Sequence, residues 1–165
     1  MTLDHSVIGT RLPAHTVDVE RGRLRSFARA TGQTDPVHVD VEAARAAGHP
    51  DLLVPPTFLV CLDREQPDPT ALYDRLGIDQ RTVLHGEQGF AYHAPAYAGD
   101  RITFTGEVTD LIDKKGGAMQ LLMRTVEARR DGELVAVLTG TTVIRHKHSA
   151  PGPSEPVRAD RKDER

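Results

Sequence analysis

Tryptophan is absent from these 165 residues, and cysteine occurs once, as Cys61. A single thiol rules out an internal disulfide, so the fold must rest on a packed core, as expected in a reducing cytoplasm. Cys61 lies in the apolar run 58–62, where packing accounts for it better than nucleophilic work. No apolar stretch approaches the roughly 20 residues of a membrane span. The opening MTLDHSVIGT shows neither the basic start nor the apolar run of a secretory signal. Excess positive charge is lacking too: 24 acidic residues against 21 Lys and Arg leave a net charge of −3. No basic patch suits nucleic acid. The eight histidines follow no metal-ligand spacing, so neither a metal nor another cofactor is expected.

What is present is organised around residues 31–48, TGQTDPVHVDVEAARAAG. Gly32 reads as the stop of a preceding helix, because glycine takes the left-handed conformation that ends helices. Pro36 disfavours helical geometry at Asp35, which predicts a pinned turn over 35–39. Asp40 reads as the N-cap of a short helix over 41–47. An imidazole and two carboxylates therefore sit on a stiff loop between helices, where catalytic groups concentrate. A solvated polar turn is the plainer alternative.

Around that loop the period of the sequence changes once. Asp18 is a plausible N-cap for a helix running to about Thr31, with Leu24, Phe27, Ala28 and Thr31 on one face. Arg21, Arg23, Arg25 and Arg29 fall mostly off it, as a solvated face or as partners for ligand phosphates. After Pro55-Pro56, residues 57–64 are apolar enough for a helix buried on nearly all sides. A further short helix fits 70–76. From Val83 the spacing becomes two, giving strands over 83–93, 101–112, 118–129 and 133–145, with Asp131-Gly132 as a strong hairpin signal. His85, Glu87 and His93 alternate and so are expected on one face. The stretch 147–165, proline-rich and charged, reads as a disordered tail behind a domain over 1–146. Helices followed by a long-stranded antiparallel sheet make an α+β chain whose sheet must cover one apolar face.

Residues 32–40, Gly-Gln-Thr-Asp-Pro-Val-His-Val-Asp, resemble the MaoC-like hydratase motif Gly-Asp-x-Asn-Pro-[Ile/Leu/Val]-His-x-Asp. Leu53-Val54-Pro55-Pro56-Thr57 stands where that family has Ala-Pro-Gly-Met at the start of its buried helix. Tyr92-His93-Ala94-Pro95 and Ala98-Gly99-Asp100 resemble the family's later strand and turn. Pro-Pro-Thr-Phe and His85-Gly86-Glu87-Gln88 look most like the N-terminal-type, or FAS1-like, dehydratase domain. The resemblance implies a single hot-dog fold, an antiparallel sheet wrapped around a central buried helix. It further implies an (R)-specific enoyl-thioester hydratase or 3-hydroxyacyl-thioester dehydratase, a hydro-lyase acting on acyl-CoA or an acyl-carrier-protein thioester. In that chemistry an Asp and a His hold a water for attack on the β-carbon, and a backbone amide receives the thioester oxygen.

Two positions depart from the pattern. The family's catalytic Asp corresponds to Gln33, which cannot take a proton at neutral pH. The amide-donor Gly corresponds to Pro56, which has no N–H. Either His38 works with Asp35 or Gln33 in a shifted arrangement with the Thr57 amide, or this chain holds substrate while a second MaoC-like chain supplies the chemistry. Both fit a dimer, homomeric or heteromeric. Thr57, Phe58, His85 and Glu87 are the candidate substrate contacts. A non-catalytic acyl-thioester binder is the alternative. A hot-dog thioesterase is the remaining one, and it would have to use Asp63 or Glu65.

Overall fold

The computed structural model describes residues 2–146; the expected tail at 147–165 lies outside the described residues. Five strands form one antiparallel sheet: β1 His15–Asp18, β2 Val83–Tyr92, β3 Arg101–Lys114, β4 Met119–Arg130 and β5 Glu133–Arg145. Their spatial order is β1-β3-β4-β5-β2. The meander β3-β4-β5 follows the alternation of the sequence, with Ile102, Phe104 and Val108 all buried. Asp131 and Gly132 take positive φ of 48° and 87°, the geometry of a two-residue hairpin matching strand twist. β2 crosses over to pair with β5, which leaves its other edge open.

Four short helices accompany the sheet: α1 Arg21–Ala30, α2 Val41–Ala46, α3 Leu59–Asp63 and α4 Ala71–Arg75. α1 starts later than its expected cap. Glu20 occupies the cap position without a side-chain bond, and Asp18 pairs instead with Arg101 at 3.2 Å. α1 buries Leu24 and Ala28, while Thr31 turns its hydroxyl back to the Phe27 carbonyl. α3 is the central helix, but it is shorter than 57–64 and not buried all round. Leu59, Leu62 and Asp63 are buried, Val60 and Cys61 half-buried, and Arg64 exposed. Thr57 at φ 69° cannot be part of a right-handed helix, so the turns begin only after it.

Leu59 and Leu62 pack with Val19, Leu24, Leu52 and Phe58 against Ile102, Phe104, Val126, Ala128 and Leu138 of the sheet. This is the hot-dog arrangement, a sheet curled about one central helix. The far end of the same face is covered separately: Leu3, Val7, Leu72, Tyr73 and Leu76 pack on Val108, Leu111, Leu122 and Ile144. There Gln120, 1% exposed, ties both ends of the described chain together. Its carbonyl accepts from the Leu3 amide at 2.7 Å and from His146 Nε2 at 2.9 Å, and its amide donates to the Leu3 carbonyl and Asp113.

Candidate functional site

The loop after α1 meets its backbone needs locally. Gly32 stands at φ 69°, and the Gln33 side-chain oxygen accepts from the Asp35 amide at 3.1 Å. Asp35 Oδ1 accepts from the Val37 amide at 3.1 Å and caps a single 3-10 turn over Pro36–His38. Asp40 caps α2 as its position predicts, accepting from the Glu42 and Ala43 amides at 2.9 and 3.4 Å. That turn buries His38 to 4% exposure. A reciprocal strap fixes it: the Leu53 amide donates to the Val37 carbonyl at 3.0 Å, and His38 Nδ1 bonds the Leu53 carbonyl at 2.8 Å. A carbonyl only accepts, so Nδ1 carries the proton and Nε2 is left with its lone pair in the neutral ring. Nε2 has no protein partner among the described residues, and His38 lines a cavity of about 460 Å³.

The strap is anchored on the crossover between β2 and β3. Val54 donates to the Ala96 carbonyl and Ala98 to the Leu52 carbonyl, both at 2.9 Å, stitching 52–54 to 96–98. Arg130 grips that crossover through the Pro95 carbonyl at 3.2 Å and Asp100 at 2.8 Å. Arg21 Nε holds Asp51 at 2.9 Å, and this guanidinium draws the Asp51 carboxyl down to about 2. Three of the α1 arginines are thus occupied within the fold rather than facing a ligand. Arg23 pairs with Glu65 and lies 5.6 Å above the Phe58 ring, and Arg25 donates to the Val39 carbonyl.

Besides His38, Leu53 and Val54, the cavity is lined by Pro56, Leu59, Tyr92, His93, Ala94, Pro95, Ala96 and Val135. Thr57 takes the left-handed conformation, which costs a β-branched residue about 1–3 kcal/mol. Its amide donates to the Tyr92 hydroxyl at 2.9 Å, across 35 residues of sequence. Tyr92 is half exposed and stacks on Phe90, ring centroids 5.9 Å apart. Burial of the phenol raises its pKa, against a smaller lowering by the Thr57 bond, so it stays protonated.

Of the residues singled out from the sequence, His38 alone among Gln33, Asp35 and His38 lines this cavity. Asp35 is exposed and spent on capping, and no carboxylate belongs to the lining. Thr57 is outside the lining and is tied to it through the bond from its amide to Tyr92. Phe58 is 2% exposed, edge-on to Phe27, and belongs to the core. His85 and Glu87 do not share a face. A bulge between them sets His85 opposite Thr142 and Glu87 opposite Thr141, and adjacent residues of β5 project to opposite sides. Both are exposed and outside the cavity, whereas His93 lines it. Tyr92 was missed by sequence reasoning. No local signal marks it, because its bond to Thr57 joins positions 35 residues apart. Asp63 is 3% exposed on its side chain and bonded to Arg124 Nη2 at 2.7 Å. Burial pushes the Cys61 thiol up, away from nucleophilic character. Among the described residues no group of three or more His, Cys, Asp or Glu could hold a metal ion, and no helix is long and apolar enough to cross a membrane.

Comparison with known proteins gives three kinds of match. A family model, "FAS1-like, dehydratase domain region", matches residues 6–138. A UPF0336 protein of Saccharopolyspora erythraea is 39% identical over 146 residues, covering 88% of this chain and 93% of that protein. Among solved structures, a chain of the HadBC (3R-hydroxyacyl-ACP dehydratase) complex of Mycobacterium tuberculosis superposes with a TM-score of 0.74 at 24% identity, covering 87% of this chain and 99% of that one. A chain of the ChsH1–ChsH2 complex of the same organism gives 0.61 at 26% identity, covering 85% and 99%.

Proposed function

The chain belongs to the FAS1-like dehydratase domain family of MaoC-like proteins, and from that premise we propose that it is the acyl-thioester-holding chain of a two-chain (R)-specific hydratase/dehydratase. The observation that carries this reading is the composition of the cavity. It offers two imidazoles, His93 and His38 with its free Nε2, and a phenol in an otherwise apolar lining, but no carboxylate to align and deprotonate water. Adding water to a trans-2-enoyl thioester requires a base at the β-carbon, a proton for the α-carbon and donors for the enolate oxygen. This chain has the shape and polarity to take the thioester, and a second MaoC-like chain with the intact Asp and His supplies the acid–base pair. Two structural neighbours are chains of two-component complexes, which supports a partner of the same kind. The acyl group is carried on CoA or on an acyl carrier protein.

The free Nε2 of His38 favours a second reading, a self-contained homodimeric hydratase with His38 as general base. The thioesterase alternative lacks such support, because Asp63 is locked to Arg124 and Glu65 to Arg23. The deciding experiment follows loss of the enoyl absorbance of a short trans-2-enoyl-CoA. The chain is assayed alone, and again with a MaoC-like chain retaining the full Gly-Asp-x-Asn-Pro-x-His motif. Binding without turnover alone, and turnover in the mixture, is the expected result. Full turnover by the chain alone, abolished by His38→Ala, would establish the second reading. Absence of both binding and turnover in either setting would refute both.

A further inference from the structure

Position 56 cannot donate a hydrogen bond, and the next amide, that of Thr57, is already committed to Tyr92. We propose that the Tyr92 hydroxyl is the donor that holds the carbonyl oxygen of a thioester in the His38 cavity, in place of the backbone amide that Pro56 lacks. The inference rests on the reading that this cavity receives an acyl thioester.

Several features of the site converge on it. The Thr57 N–H can only donate, so the phenolic oxygen is the acceptor and its own proton remains available. That proton meets no acceptor among the described residues, and Tyr92 lines the same cavity as His38. The ring is held nearly parallel to Phe90, 5° between planes, and tethered at its far end by the amide, so the hydroxyl is positioned before any ligand arrives. Donation from the Thr57 amide polarises the hydroxyl and makes it a better donor in turn. His38 cannot compete, because its Nδ1 proton is given to Leu53 and its Nε2 carries a lone pair. The left-handed φ of Thr57 belongs to the turn in which the Phe58 amide donates to the Pro55 carbonyl at 3.1 Å, and the Thr57 amide, lying before α3 with no helix carbonyl to bond, is left to Tyr92.

The experiment is isotope-edited infrared spectroscopy of crotonyl-CoA, labelled with ¹³C at the thioester carbonyl and bound to the full chain. A hydrogen bond lowers the carbonyl frequency. The wild-type band is expected below that of Tyr92→Phe, with affinity about tenfold weaker in the variant, the worth of one hydrogen bond. Placing 3-fluorotyrosine at position 92, a more acidic phenol in the same ring, should move the band further down, and this arm holds even if Tyr92→Phe fails to fold. Coincident bands in wild type and Tyr92→Phe, no response to the fluorinated ring, or a shift lost in His93→Ala instead, would each overturn the proposal while leaving thioester binding intact. No binding to wild type would overturn the proposal together with the reading beneath it.

Discussion

The two loops that contribute His38 and Pro56 to the cavity are held in opposite ways. The His38 loop meets most of its demands locally, with a glycine where φ is positive, side chains capping each turn, and a strap to Leu53 only 15 residues along the chain. The Thr57 loop has a β-branched residue where a glycine would be at ease, and its exposed amide depends on a tyrosine from a distant strand. The first is a rigid mount for an imidazole. The second is conformationally costly, and such cost is tolerated when the surrounding structure fixes it. Strain of this kind gathers at ligand sites, and here it lies next to Pro56 rather than next to His38.

The contrast can be broken from both sides. The largest effect is expected at the far end of α3, the helix on which the Thr57 loop leans. Arg124→Met strands the buried Asp63 carboxylate and should cost about 3–5 kcal/mol in chemical denaturation. On the other side, His38→Ala removes the bond to the Leu53 carbonyl and should cost about 1–3 kcal/mol by the same measurement. A loss confined to a few tenths would mean that the strap does not hold the loop. Asp40→Ala deletes a cap and should cost about 1 kcal/mol. Thr57→Gly runs the other way, gaining about 0.5–1 kcal/mol in thermal unfolding because glycine accepts the left-handed φ. A destabilised Thr57→Gly would show that the loop carries no strain.

The smallest effect concerns Asp51, whose folded pKa of about 2 lies below the ordinary 3.8 but whose partner Arg21 is half exposed, so that solvent screens the pair. A depressed carboxylate contributes stability that is complete above the unfolded value and is lost as pH falls through the folded one. Titrating stability downward from pH 4 should therefore show a loss that Asp51→Asn flattens. An unchanged acid limb in that variant would place the acid sensitivity elsewhere.

The same contrast explains what the sequence made legible. Gly32, Pro36 and Asp40 act through their own backbone or their nearest neighbours, so their roles and the position of His38 followed from residue chemistry. β5 and the Asp131-Gly132 turn were readable for the same reason. The Thr57 conformation was not, since threonine disfavours it and only tertiary packing imposes it. Alternation placed His85 and Glu87 together, and one extra residue at the bulge, unmarked in composition, separated them. Asp35 invited a catalytic reading because a carboxylate two residues before a turn amide looks the same on paper whether it caps or reacts. The pairing of β2 with β5 depends on a crossover that no local signal announces.

Gln120 has a consequence for how the gene can be cut. Because one buried amide holds Leu3 and His146 together, a short linker between those points would make the chain circular. Reopening it at the exposed turn Lys115–Gly117 would give new ends far from both cavity loops. Such a permutant should bind the same thioester as the parent. If it binds none, the order in which the strands leave the ribosome matters to this fold as well as the contacts they finally make.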